Sequence, residues 1–452
     1  MLRERIIFFI ALIVFSLIAA PAQAVRAENI LAGDRYEPDN TAGQAKVIAS
    51  GTSQTRSIDP ETDFDWIKFQ VSTSSAVLLE TTGPYESDTR ITLYTSTQNP
   101  LEVSDDEGVN FYSFIDRLCN DDPLPAGTYY VRVEEYLQNA KIPSYDLFFQ
   151  ASPCPAQIVD MYVGPEREAS STISPHQSTR RSIPWLNNGP LRVINTGGSP
   201  IMAAERVIYK VNGIQTSFSE MMGLPANQLD TTYWLPWYNN VDLDTQLRFA
   251  NVSGTTATVN IYVANNLMPG SPFTLLTGAS LRKSFPNVNN GPVRIESNVP
   301  IVAAERVIYK VAGKNTSFSE TMALPNSQLD TNYWLPWYNN VDLDTQLRFA
   351  NVSGTTASVN IFIGGSLMPG SPFSLAPGAS LRKSFAGINR GPVQIVSTQN
   401  IIAAERVIYK VNNVATSFSE LMALPNSQLN TVFWVPWYNN VDLDTQLRFG
   451  MP

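Results

Sequence analysis

The chain has 452 residues, a formal net charge of −9, one histidine and two cysteines. That length is more than one core serves and suits about four domains. A nucleic-acid binder would need a basic face, which the sequence lacks, and one histidine with two cysteines excludes a histidine–cysteine zinc set.

Chain order begins with a leader. Residues 1–24 read as a secretory signal peptide: Arg3 and Arg5 precede an apolar run from Ile6 to Ala20, and Ala22-Gln23-Ala24 supplies a small-residue cleavage pattern. The run falls short of the ~20 residues that span a bilayer. We therefore expect cleavage, a secreted or cell-surface location and no membrane span afterwards. An exported chain sits where disulfides persist, so Cys119 and Cys154 are expected to form one.

Residues 28–155 hold 21 acidic against 8 basic side chains, which leaves the rest of the chain nearly neutral. Five features run in order through 28–150. They are Glu37-Pro38-Asp39-Asn40, Asp63-Phe64-Asp65-Trp66-Ile67-Lys68-Phe69, Asp88-Thr89 before Leu93-Tyr94, Asp105-Asp106, and Ala126-Gly127-Thr128-Tyr129-Tyr130-Val131-Arg132-Val133. Together they resemble the bacterial pre-peptidase C-terminal domain. The segment Asn120-Asp121-Asp122-Pro123 and the cysteines depart from that pattern. The resemblance implies a jelly-roll-like β-sandwich that serves as an accessory part of exported proteins. It also implies calcium near the opening acidic motif, with Glu37, Asp39, Asn40, Asp63 and Asp65 as the candidate ligands. Calcium takes six to eight oxygen ligands, which carboxylates and an Asn carbonyl supply. The bland alternative is that these acids cap turns and solvate the surface.

The remainder repeats at a spacing of 100 residues. Tyr233 to Ala257 recurs letter for letter as Tyr333 to Ala357, and a third copy starts at Phe433. The block Ala203-Ala204-Glu205-Arg206 returns at Ala303 and Ala403. Short alternating runs such as Val259, Ile261 and Val263, punctuated by Gly, Pro, Asn and Ser, predict an all-β chain. About seven strands per repeat fits tandem Ig-like sandwiches. Asn251-Val252-Ser253-Gly254 reads as a hairpin turn, and 316–329 as a less regular stretch with a turn of helix. We place a first, partial repeat at 156–230, full repeats at 231–330 and 331–430, and a truncated start of a further repeat at 431–452. That last piece either completes the sandwich at the start of the repeats or marks a shortened product. The repeats resemble tandem modules of exported bacterial surface proteins, carried by Trp-x-Pro-Trp-Tyr-Asn-Asn and Ala-Ala-Glu-Arg.

Candidate ligand-binding residues are Trp234, Trp237, Tyr238, Trp334, Trp337 and Tyr338, with Trp434, Trp437 and Tyr438 in the last copy. Aromatic faces stack on sugars. The competing reading, which we favour, has the rings filling the core or the joint between modules. Asn239 to Asp244 reads as a polar turn rather than a calcium loop, since the EF-hand glycine and closing Glu are missing. Glu205 and Arg206 face opposite ways on a strand, so each is expected to pair across strands. Chemistry is thin. A Ser-His-Asp triad would need His176, which no nucleophile-elbow motif supports. A two-carboxylate glycosidase stays open, because it needs only the right separation.

The expected function is a non-catalytic, structural and adhesive role toward extracellular matrix, glycan or a neighbouring-cell surface component. The alternatives are a carbohydrate-binding module protein and an accessory fragment of a secreted protease.

Overall fold

A computed structural model describes residues 34–84, 87–119, 121–433 and 446–451. The expected signal peptide, and Trp434, Trp437 and Tyr438, lie outside the described residues. The chain is all-β and divides into two compact units that meet between Cys154 and Pro155.

Nine strands build the first unit: β1 Lys46–Val47, β2 Thr52–Ile58, β3 Asp65–Val71, β4 Ser75–Thr82, β5 Thr89–Tyr94, β6 Pro100–Ser104, β7 Phe114–Arg117, β8 Gly127–Glu135 and β9 Ile142–Pro153. They form two sheets, β1-β3-β8-β5-β6 and β2-β9-β4-β7. Burial alternates along each strand, because successive side chains point to opposite faces. Ile67, Phe69, Ile91, Leu93, Val131 and Val133 from one sheet thus meet Val77, Leu79, Ile115, Leu147 and Phe149 from the other. The Phe69 and Phe149 rings touch across this sandwich with centroids 4.3 Å apart. A disulfide joins Cys119 to Cys154, Cα to Cα 5.4 Å, and fastens the end of β9 to the chain beyond β7.

The second unit opens with an incomplete repeat. β10 Gln157–Val163, β11 Glu166–Ile173 and β12 Leu191–Asn195 make a three-stranded sheet; β13 Ala204–Val211 and β14 Ile214–Met222 make a separate hairpin.

The next repeat is a closed set of pairings. Its strands are β15 Asp230–Leu235, β16 Tyr238–Asn239, β17 Asp244–Asn251, β18 Ala257–Val263, β19 Asn266–Leu267, β20 Phe273–Leu275, β21 Ser280–Lys283, β22 Asn289–Asn290, β23 Val293–Val311, β24 Lys314–Met322 and β25 Leu324–Pro325. The 19-residue β23 organises the repeat. Its first half lies between β18 and β15, and its second half between β17 and β24. One strand thus serves both layers, with Val293, Ile295, Ile301 and Ala303 in one core. The third repeat reproduces these pairings 100 residues on, around Val393–Val411.

Two local expectations change. Asn251 to Gly254 is not a hairpin turn: β17 and β18 do not pair with each other, and each pairs with a different half of β23. The Asn251 side chain holds this arch by donating to the carbonyls of Thr255 (2.7 Å) and Leu275 (3.1 Å). The stretch after Thr316 is regular strand up to Met322, and the expected helical turn is a short 3₁₀ turn at Asn326–Gln328.

Candidate functional site

In the first unit, an ionic cluster closes one end of the core. Alternation on β2 turns Gln54, Arg56 and Ile58 inward, and Arg56 is fully buried. Its guanidinium bonds Asp39, lies 3.5 Å from Asp65 and donates to Gln54 at 2.7 Å. The Tyr36 ring covers it at 4.3 Å. Tyr145 donates its hydroxyl to Asp65. Glu37, Asp39 and Asp65 present carboxylate oxygens within 4.8 Å of one another.

The other two expected ligands point elsewhere in part. Asn40 accepts the Phe64 amide at 3.2 Å, and Asp63 accepts the same amide at 2.9 Å. Burial, then the charges of Asp63 and Asp39, pushes the Glu37 carboxyl up to about 7. Burial also pushes Asp65 up to about 8, against the pull of its Tyr145 hydrogen bond and Arg56. The raised values keep part of these carboxyls protonated near neutral pH, so that Arg56 is not outweighed by three full negative charges. Arg56 had no signature in the sequence, since a lone Arg on a polar-looking strand reads as exposed.

A second carboxylate group, Asp88, Asp105 and Asp106, converges within the same limit. Burial and the neighbouring acids push Asp88 up to about 6.

The repeated aromatics divide by position. Tyr238 and Tyr338 are core residues. Tyr238 donates to the Thr245 carbonyl (3.1 Å) and accepts the Phe285 amide (2.6 Å), so its ring face is closed to solvent. The indole N–H of Trp234 donates to Asn326 and that of Trp334 to Asn426, each at 3.0 Å, at the start of the short 3₁₀ turns. Trp234 is also packed into the core of the third repeat. Trp237 donates to Asn289 (2.8 Å) and stacks on Arg348 of the next repeat at 4.8 Å. Trp337 makes the matching bond to Asn389, and its side chain is partly exposed. The Asn239 turn is polar: its side-chain oxygen accepts the amides of Val241 (3.1 Å) and Asp242 (3.2 Å).

The joints between repeats share one construction. Tyr209 packs on Phe318 at 5.1 Å, and Tyr309 on Phe418 at 5.0 Å. Ser219 accepts the Glu320 amide and Ser319 the Glu420 amide, both at 2.9 Å. Gln328 donates to Gln228, and Gln428 to Gln328. Within each repeat, Asp230 and Asp330 accept the amides of Ser327 and Ser427.

The Ala-Ala-Glu-Arg block supplies the charges here. Arg206, Arg306 and Arg406 pair across their own hairpins with Glu220, Glu320 and Glu420. Glu205 and Glu305, on the opposite face, point into the joint. Burial, then the charge of Glu420, pushes Glu305 well above the carboxylate range, against Arg406 and Arg348. A cleft of about 260 Å³ lies at the joint of the second and third repeats, with Trp234, Arg294, Asn265 and Asn351 in its wall. The sequence pointed to joints between modules but not to these contacts, because their partners sit about 100 residues apart in near-identical blocks.

No family model matches the chain, and no curated protein does. Among solved structures, it is similar to the pre-peptidase C-terminal domain of a collagenase from Bacillus anthracis. The identity is 18%, the match covers 24% of this chain and 94% of that chain, and the TM-score is 0.20.

Proposed function

We propose that this is a non-catalytic, secreted or cell-surface protein with a structural and adhesive role. In this reading the repeats form a spacer and the acidic first unit contacts an extracellular matrix, glycan or cell-surface component. The observation that carries it is the reuse of one set of contacts at successive joints. A solenoid built this way sums nearest-neighbour interfaces and extends by addition. The test has two arms. Small-angle scattering should show the maximum dimension growing by a constant step when residues 331–430 are duplicated. The purified chain should also bind intact cells, matrix proteins or insoluble polysaccharides. A constant dimension removes the spacer role, and an absence of binding across all three removes the adhesive one.

Calcium belongs to this proposal at Glu37, Asp39 and Asp65. The convergence of three carboxylate oxygens, which a bound hard cation would hold ionised, is what favours a divalent cation there, with Asp63 and Asn40 next to it.

Glycan recognition is the second reading, favoured by the joint cleft with the Trp234 indole and polar Asn265 and Asn351 in its wall. Trp234→Ala and Trp337→Ala separate the two platforms. Loss of polysaccharide retention in either variant, with retained folding, supports this reading. Unchanged retention in both removes it.

A further inference from the structure

The second and third repeats set arginines opposite each other. Among the described residues, β21 is an edge strand that pairs with β17 alone. Its Arg282 lies directly across from Arg248, and the third repeat sets Arg382 across from Arg348 in the same register. Directly opposed side chains share one face with Cβ atoms roughly 4.5–5.5 Å apart, and like charges there destabilise the pairing. Charged side chains commonly guard a sheet edge against wrong pairing. Lys283 and Lys383 already do so from the other face of the same strands, each ammonium 4.4 Å over the ring of Phe273 or Phe373. Guarding the edge does not explain a second arginine on the interior strand.

Nearby carboxylates are engaged or held toward their neutral forms. Glu320 and Glu420 are taken by Arg306 and Arg406. Burial, then the charge of Glu420, raises Glu305, which lies across the joint from Arg348. Glu205 lies near Arg306 and Arg248 across the first joint, partly desolvated there and raised for that reason. Among the described residues, no ion pair or hydrogen bond holds Arg248, Arg282, Arg348 or Arg382. Arg348 is only 6% exposed, and its Nε is buried with no hydrogen-bond partner, as is that of Arg248. Burial, then Arg406, pushes the Arg348 guanidinium down to about 9, with Arg382 adding to the push and Glu420 and Glu305 opposing it.

The flanking sequence supplies no acid for these arginines. From Thr245 to Ile295, and from Thr345 to Ala404, there is no Asp or Glu, while each span holds three arginines and one lysine. Arg282 and Arg382 are exposed, so each pair can be approached from the open edge of its strand.

We propose that the second and third repeats each bind an oxyanion between their cross-strand arginines, Arg248 with Arg282 and Arg348 with Arg382. The ligand is an acidic polysaccharide whose carboxylate or sulfate groups occupy both sites. A guanidinium presents a planar fork of N–H donors that matches such groups. The bound anion turns a repulsive pair into a bridged one. Two sites on one array let a single polymer engage twice, and such avidity exceeds single-site affinity by roughly 10²–10⁴-fold. One site per repeat suits a polymer of spaced charges, whereas the dense phosphates of a nucleic acid call for a continuous basic face. The proposal is independent of the spacer role, of the Trp234 cleft and of any contact made by the first unit.

The experiment measures retention of the full chain on immobilised polygalacturonate, dextran sulfate, uncharged dextran and double-stranded DNA at low salt. The parent should be retained by polygalacturonate or dextran sulfate, not by dextran, and released by added salt, which screens exposed charges. Arg282→Gln with Arg382→Gln should weaken that retention about tenfold or more, since a charge-assisted bond is lost at both sites. Lys283→Gln with Lys383→Gln removes the same charge from the same strands and should change it less than about threefold. Without ligand, the double arginine variant should melt at or above the parent, because a like-charge pair is gone. A lower melting temperature would show that these arginines hold the fold, and overturns the proposal. Equal loss in the lysine variant, which marks diffuse charge, overturns it too. So does a parent that passes both acidic polysaccharides or binds DNA as tightly. Inorganic sulfate should compete far more weakly, group for group, than dextran sulfate; equal potency removes the polymer as the ligand. Capture of intact cells or matrix proteins without retention on these polysaccharides leaves the adhesive reading standing and removes this one.

Discussion

Arg56 is a guanidinium held away from water by Asp39, Asp65, Gln54 and the Tyr36 ring. Removing one partner of a buried charge group strands the others, at a cost of about 3–5 kcal/mol. Arg56→Met should destabilise the first unit by that amount in denaturant titration. A change under about 1 kcal/mol would mean that water reaches Asp39 and Asp65. The same cluster sets a pH signature. Glu37 carries a folded-state value of about 7 against 4.5, so the folded unit binds a proton that the unfolded chain releases. Its stabilising contribution is complete below about pH 4.5 and fades as pH rises through about 7. With chelator present, stability of the first unit should fall across that window. With calcium bound, the carboxylates are held ionised, the fall should vanish and the melting temperature should rise. Identical melting with calcium and chelator would leave Arg56 as the sole counter-charge. Glu305 gives a third case, since it too is raised by burial in the joint. Its neutral form is favoured, so stability is lost as pH rises through the folded-state value. Glu305→Gln keeps a neutral side chain throughout. It should be more stable than the parent at about pH 8 and equal to it near pH 4.5. A variant weaker than the parent at both would show that the carboxylate is needed as an anion for Arg348 and Arg406.

At the level of elements, the β15 tryptophan ties two repeats together. Trp234 buries its ring against the third repeat, while its indole N–H is held by Asn326 of its own repeat. Trp234→Ala should cost about 3–5 kcal/mol, read by thermal unfolding of the repeat unit. Trp334→Ala should cost less, because its ring is more exposed than that of Trp234. Equal losses would contradict the joint role. The all-β class was legible because Val259, Ile261 and Val263 alternate in sequence as they do in burial. The hairpin at Asn251 was misread because a turn-like sequence fixes a change of direction and not the pairing that follows. The arch depends on Leu275, 24 residues away. Arg56 was invisible for a related reason. Gln54 and Arg56 alternate with polar Ser and Thr, so the inward face of β2 looks like its outward face until Asp39 and Asp65 are placed beside it.

For the whole molecule, the two units hold themselves together differently. The first closes a 35-residue span with Cys119–Cys154. Shortening the freedom of the unfolded chain this way contributes about 2–4 kcal/mol. Cys119→Ala with Cys154→Ala should lose that much, read as faster amide exchange in β8 and β9. Unchanged exchange would mean that the Phe69–Phe149 core alone sets the unit's stability. The repeats use no covalent tie. They rely on joints in which each residue set has two duties. Ser319, for example, belongs to the strand that receives Glu420 and follows the one whose Ser219 receives Glu320. That arrangement bears on inheritance as well as on mechanics. A substitution in one copy disturbs a contact with the copy before it and another with the copy after it, whereas a change shared by all copies can keep every joint matched. Gain or loss of a whole 100-residue copy leaves every remaining joint intact. Heritable change in this part of the gene is therefore expected to be tolerated more readily as a whole added or deleted copy than as a point substitution at a joint.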